Sequence, residues 1–205
     1  MDSRMMMRVL ACALAGAPAA LFAAPATASA DWIQTATRAD RGRIHDWRDA
    51  FVKALGEART SHAADVTREA VLLNADAALP NPVIPAGNYA CRTIKLGNQG
   101  SEGLAYVAYQ PFKCRIIIGK KGKIFSKIDG SQRPSVRLFA VEDRRQVFLG
   151  TLALGDETRA IDYGRDIDRD MAGIVERIGV NRWRLVLPYP HFESTLDVIE
   201  LIPGN

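Results

Sequence analysis

The second half of this chain is a succession of short apolar segments set close together, and that spacing restricts the fold more than any other feature. The segments fall at 88–96, 104–109, 112–118, 123–128, 135–141, 146–153, 171–178, 182–187 and 196–202. Most are rich in Val, Ile, Leu and aromatic residues and end at turn formers, the pattern of β-strands. Gly119-Lys120-Lys121-Gly122 and Asp129-Gly130 are turn signals, Glu142–Arg145 is a polar connection, and Gly179-Val180-Asn181 links two further strands. A parallel crossover needs a dozen or more residues, which most of these gaps lack, so neighbours must run antiparallel. Eight or nine such strands build either a sandwich or an up-and-down barrel.

Upstream the period changes. Ile44, Trp47, Phe51, Val52, Leu55 and Ala58 recur at helical spacing and predict a helix over roughly 38–59, with Thr37 as its cap and Asp40 favouring its first turn. Thr60 or Ser61 can cap a second, shorter helix ending near Leu73-Asn74. Leu79-Pro80-Asn81-Pro82-Val83-Ile84-Pro85-Ala86-Gly87 then excludes helix, because proline lacks the N–H and restricts the residue before it. The expected class is α+β: two N-terminal helices covering an end or an open side of an antiparallel sheet of about eight strands, curled into a barrel-like or sandwich body. The expected layout is one domain over 31–205, with a helical segment 31–79, a Pro-rich hinge 80–87 and a β body 88–205.

Residues 1–30 read as an export signal. Arg4 and Arg8 precede the uncharged apolar run Val9–Ala24, and Ala28-Ser29-Ala30 supplies the small-x-small pattern of a cleavage site. Pro18 interrupts the run, which is also shorter than the roughly 20 apolar residues of a spanning helix. Val9-Leu10-Ala11-Cys12 is only a loose lipidation motif, with too little apolar sequence before it. The expectation is a periplasmic or secreted protein processed after Ala30, with no transmembrane segment left. Cys12 departs with the signal, and Cys91 and Cys114 remain. In an oxidising compartment they read as one disulfide closing a loop of 24 residues, worth about 3.5 kcal/mol in the chain-entropy model. The alternative is two buried thiols.

Charge is unevenly spread. Residues 88–150 hold 12 basic and 4 acidic side chains, whereas residues 151–205 hold 6 and 10. The basic and acidic parts either face each other inside one fold or leave a surface for anionic partners. Lys120, Lys121, Lys123 and Lys127, with Lys113 and Arg115 before them, form the densest basic region. They suit phosphate or lipid headgroups, or they guard a sheet edge against aggregation. An exported chain with no recognisable nucleic-acid motif is not expected to bind nucleic acid.

Motifs of catalysis are sparse. The sequence has no Gly-x-Ser-x-Gly, no P-loop and no His-Glu-x-x-His, and only three histidines, His45, His62 and His191. His191-Phe192-Glu193 has the first half of a zinc deaminase pattern but lacks its Pro-Cys-x-x-Cys. In an extended segment Tyr189, His191 and Glu193 share a face, and a carboxylate beside an imidazole suits general-base chemistry. The competing reading is a polar loop. Asp166, Asp168 and Asp170 alternate as calcium ligands do, but Met171 and Arg177 stand where an EF-hand needs Gly and Glu. Arg133 is a candidate carboxylate clamp, or a structural partner of Asp162 or Glu193. Trp183 between Arg182 and Arg184 points the opposite way from them, towards the core. No metal site and no cofactor is expected.

The segments Gly87–Arg92, Gly130–Pro134, Asp170–Gly173, Asn181–Pro188 and Pro190–Ser194 running into Asp197–Leu201 resemble an uncharacterised family of exported bacterial proteins, domain-of-unknown-function family 4893. The likeness spans nearly the whole of 31–205 and implies a single unit without implying an activity. Gly87-Asn88-Tyr89 also resembles the Gly-x-Trp element opening the first strand of lipocalin-like barrels, with Tyr in place of Trp. The preferred role is a non-enzymatic periplasmic or envelope-associated module holding a small apolar or anionic ligand or an envelope protein, with Arg133, Lys120, Lys121 and Lys123 as binding candidates. The alternative is a hydrolase working through His191 and Glu193.

Overall fold

The computed structural model of the protein describes residues 28–100 and 103–204. The expected export segment therefore lies outside the described residues up to 27, and Ala28–Ala30 form the first turn of helix α1 (Ala28–Thr35). Helices α2 (Arg38–His45) and α3 (Trp47–Arg68) and a 3₁₀ turn (Ala70–Leu73) follow. Thr37 caps α2 as expected, its hydroxyl accepting from the Asp40 N–H at 3.1 Å. The single helix expected over 38–59 is divided at Asp46, which ends α2 and precedes α3. The second expected break falls at His62, whose φ of −130° and ψ of 34° kink α3. Asp46 is neither a proline nor a glycine, which is why periodicity alone does not find the first break. Ala50, Ala54 and Ala58 are fully buried at i, i+4 spacing, and their small side chains let α3 lie close to what it covers.

Nine strands come next: β1 (Gly87–Leu96), β2 (Tyr106–Ala108), β3 (Phe112–Gly119), β4 (Gly122–Lys127), β5 (Gln132–Ala140), β6 (Arg145–Leu154), β7 (Asp170–Gly179), β8 (Arg182–Pro188) and β9 (Leu196–Pro203). All neighbours are antiparallel, and β1 pairs with β9, closing eight strands into a barrel; β2 adds to the upper part of β1 beyond β3. Of the two architectures open to the sequence the chain adopts the barrel, which has no open side. The helices cover the outer wall instead, where Ile44, Phe51, Leu55 and Leu72 meet Ile94, Ile174, Val186 and Val198. The interior is a second core of Tyr89, Cys91, Cys114, Phe125, Phe148, Trp183, Leu185 and Leu201. Trp183 is thus where its strand parity put it. Gly173 faces Phe148 across the β6–β7 pair, and a Cβ there would lie 2.7 Å from the Phe148 ring. A glycine is required for the wall to bend this tightly around a filled interior.

The Pro-rich segment read as a hinge runs across one end of the barrel and closes it. Ile84 is fully buried in the interior core. Around it, Leu79 pairs with Arg177, the Asn81 N–H reaches the Asp143 carbonyl at 2.9 Å, and the Lys123 ammonium donates to the Ile84 carbonyl at 2.6 Å. Cys91 and Cys114 are joined as a disulfide between β1 and β3, with Cα atoms 5.8 Å apart. The basic and acidic parts of the sequence face each other across strand pairs: Arg92 meets Glu200 at 3.0 Å and Arg145 meets Glu176 at 2.7 Å.

Candidate functional site

Strand alternation sends every second side chain inward. On β1 the inward series is Tyr89, Cys91, Thr93, Lys95; on β4 it is Lys123, Phe125, Lys127; on β9 it is Asp197, Ile199, Leu201. At the plugged end the series, apart from Lys123, is apolar and fills the barrel. At the other end it is not, and a cavity of about 420 Å³ opens there. That volume lies within the range of small-molecule sites. Phe112, Pro134, Leu152, Met171, Leu187 and Ile199 form its apolar wall. Its polar groups include Lys95, Lys127, Asp197, His191 and Glu193, with Arg43, Asp168, Arg169 and Asp170 also on the lining.

The two lysines differ. The Lys95 ammonium lies 3.1 Å from Asp197 and 3.2 Å from Glu193. Burial lowers its pKa, but the two carboxylates outweigh that and hold it above the usual value. The Ser194 hydroxyl also donates to Asp197. Lys127 is only 9% exposed and has no carboxylate within ion-pair range among the described residues. Its ammonium sits 3.5 Å from the centre of the Phe112 ring and donates to the Gln132 carbonyl at 2.9 Å. Burial pushes its pKa below the ordinary 10.5, aided by Arg133 and Lys95 and opposed by Asp129. A buried ammonium satisfied by one carbonyl and a ring face keeps donors free for an incoming anion.

His191 and Glu193 line this same cavity, so the structure brings them together at one mouth. It does not pair them: no hydrogen bond joins them among the described residues, and Glu193 serves Lys95. The segment is not extended, since Tyr189 and Glu193 adopt left-handed φ values of 46° and 69°. The shared face that an extended segment would create is therefore absent. Burial and the nearby Arg43 lower the His191 pKa and favour the neutral ring.

Of the remaining candidates, Asp168 and Asp170 also line this cavity, and the others lie elsewhere. Arg133 projects outside the barrel and donates to the carbonyls of Gly130, Gly155 and Glu157, tying two loops together; neither Asp162 nor Glu193 is its partner. Lys120 and Lys121 stand on the turn between β3 and β4 at the plugged end, and Lys123 is spent on the plug. Asp166 turns back on the Asp168 N–H, while the Asp170 carboxylate accepts from the Gly164 N–H at 2.9 Å.

Lys95, Lys127 and Asp197 escape motif reading because no spacing rule names them. Parity does single them out, since each is charged on the face its strand reserves for core residues.

The model of a family described as a domain of unknown function, DUF4893, matches residues 32–201. No curated protein and no solved structure matches the chain.

Proposed function

This chain belongs to the DUF4893 family, and we propose that it works as an exported binding module of the bacterial envelope, holding a small anionic molecule with an apolar portion in the open end of its barrel. Lys127 carries this reading. A buried ammonium without a carboxylate is costly to maintain unless something satisfies it, and this one borders a cavity with an apolar wall. A carboxylate or phosphate head would sit against Lys127, and its apolar part against Leu152, Met171 and Leu187. The disulfide suits an oxidising compartment. No helix among the described residues is long and apolar enough to cross a membrane.

Octanoate is a suitable probe, with octanol as its uncharged counterpart. Octanoate should raise the melting temperature by several degrees at concentrations well above its Kd, and octanol should do so far less. Lys127→Met should remove the difference between the two while keeping the fold, since it substitutes a linear side chain of similar length. Equal responses to both probes, or unchanged octanoate binding by the variant, would overturn the reading. For the export part, fractionation should place the chain in the periplasmic extract with a new N-terminus at Asp31. Full-length chain in the cytosol with both thiols alkylatable would refute it.

A further inference from the structure

The hairpin joining β3 and β4 was open to two readings, a guarded sheet edge or a surface for anions. Barrel closure confines the first to the tip, because β3 lies between β1 and β4, and β4 between β3 and β5, over the rest of their length. The hairpin extends past its neighbours: pairing of β3 to β1 stops at Ile116, and pairing of β4 to β5 begins at Ile124. The projecting tip, Ile117–Lys123, carries Ile118 77% exposed and the exposed pair Lys120 and Lys121.

The antiparallel order puts the tip at the same end of the barrel as the turn between β7 and β8 and the Pro-rich plug. Those two segments add Val180, 86% exposed, and the exposed Val83. Three separate segments thus each present a β-branched aliphatic side chain to solvent at one end. The turns at this end, 120–121, 141–144 and 180–181, hold three basic and two acidic residues, while Lys123, Arg145 and Arg182 at the adjoining strand ends are taken up by the Ile84 carbonyl, Glu176 and Glu200. The described loops of the opposite end, 128–131, 155–158, 164–169 and 189–195, hold two basic and six acidic residues, while Arg159–Tyr163 lies along the outer wall beside Lys120 and Lys121. That end also has exposed apolar residues, Ile167 and Phe192 among them, but its charge would repel an anionic surface.

We propose that the plugged end docks on an anionic phospholipid bilayer, with Ile118, Val180 and Val83 entering the interface and Lys120 and Lys121 meeting the headgroups. Apolar side chains that reach the acyl boundary and lysines that stay with the phosphates are the two contributions such binding needs. The cavity then faces away from the membrane. This proposal does not depend on what the cavity holds.

The test is flotation of the purified chain with vesicles. It should float with vesicles of phosphatidylcholine containing about a third phosphatidylglycerol and stay in solution with phosphatidylcholine alone. Raising the salt should release it. Each lysine near an anionic surface contributes roughly fivefold in affinity, so Lys120→Glu with Lys121→Glu should weaken binding by roughly twentyfold or more. Ile118→Ser with Val180→Ser should weaken it as well, with circular dichroism unchanged because both residues are exposed. Absence of flotation with the anionic vesicles, or full binding by the lysine variant, would sink the proposal. Full binding by the aliphatic variant would reduce the surface to one that adsorbs any polyanion and equally overturns membrane entry.

Discussion

Lys127 and Arg184 show how differently a strand can bury a cation. Arg184 faces outward from β8, yet it is fully buried, because the helical layer lies over that part of the wall. Its guanidinium donates to Glu176 at 2.8 Å and to the Leu72 carbonyl at 2.6 Å, so it fastens the 3₁₀ turn to the barrel. Lys127 faces inward and has no comparable fastening. In the sequence both are ordinary basic residues within apolar strands. Parity separates them, but the burial of Arg184 depends on a helix more than a hundred residues earlier, which no local pattern reveals. For Lys127 the sign of the pH effect follows from its environment. Burial holds the pKa of its ammonium below 10.5, so it loses its proton before an ordinary lysine does, whereas Lys95 retains its own because its carboxylates hold its pKa up. Octanoate stays ionised throughout. Its binding should therefore be level from about neutral pH upward and then weaken as pH rises through the Lys127 pKa. Calorimetric titration between pH 7 and about 10.5 measures this. Lys127→Met should bind weakly and show no such fall, and a wild-type affinity that held flat to the top of that range would contradict the assignment.

Among the elements, the strands were the most legible. All nine expected segments appear as strands, because alternation and turn residues are local signals that closure does not override. The helices were read correctly in their apolar stripe and their Thr37 cap, and less well in their boundaries. The break at Asp46 and the kink at His62 let α2 and α3 follow a curved wall, a demand set by tertiary shape. The Pro-rich segment was legible as a place where helix stops and illegible as a plug. Its role rests on Ile84, one aliphatic among prolines, entering a barrel whose existence depends on distant pairing. Ile84→Ala should therefore cost about 3 kcal/mol, the usual range for emptying a fully buried isoleucine site. The loss should be read in urea denaturation. The same variant should become sensitive to limited proteolysis between Leu79 and Gly87 while binding octanoate as before, since the plug lies at the far end from the cavity. A stability within a few tenths of the wild type would mean that the plug is decoration on a self-sufficient core.

At the level of the whole molecule, closure is the feature that organises the rest. It turns alternation into an inside and an outside, it carries the acidic last strands round to the basic first one, and it leaves one end plugged and the other hollow. The seam lies at β1, the strand with three partners, since it meets β2, β3 and β9. The Cys91–Cys114 bond sits beside this seam, inside the barrel, and Cys91 is the register partner of Phe112. Phe112 in turn is the ring on which Lys127 rests. The bond should accordingly act in two ways. Replacing both cysteines by serine, or reducing them in the wild type, should lower the unfolding free energy by about 3.5 kcal/mol, the chain-entropy value for a loop of this length. It should also loosen the β1–β3 pairing that positions Phe112, and so weaken octanoate binding in protein that is still folded. Denaturation curves with and without reductant give the first quantity, and titration of the folded, reduced protein gives the second. Loss of stability with unchanged affinity would confine the bond to restraining the unfolded chain. Loss of affinity at full stability would mean that it acts on the site alone. Only the two together fit a crosslink that holds both the barrel seam and the wall of the cavity.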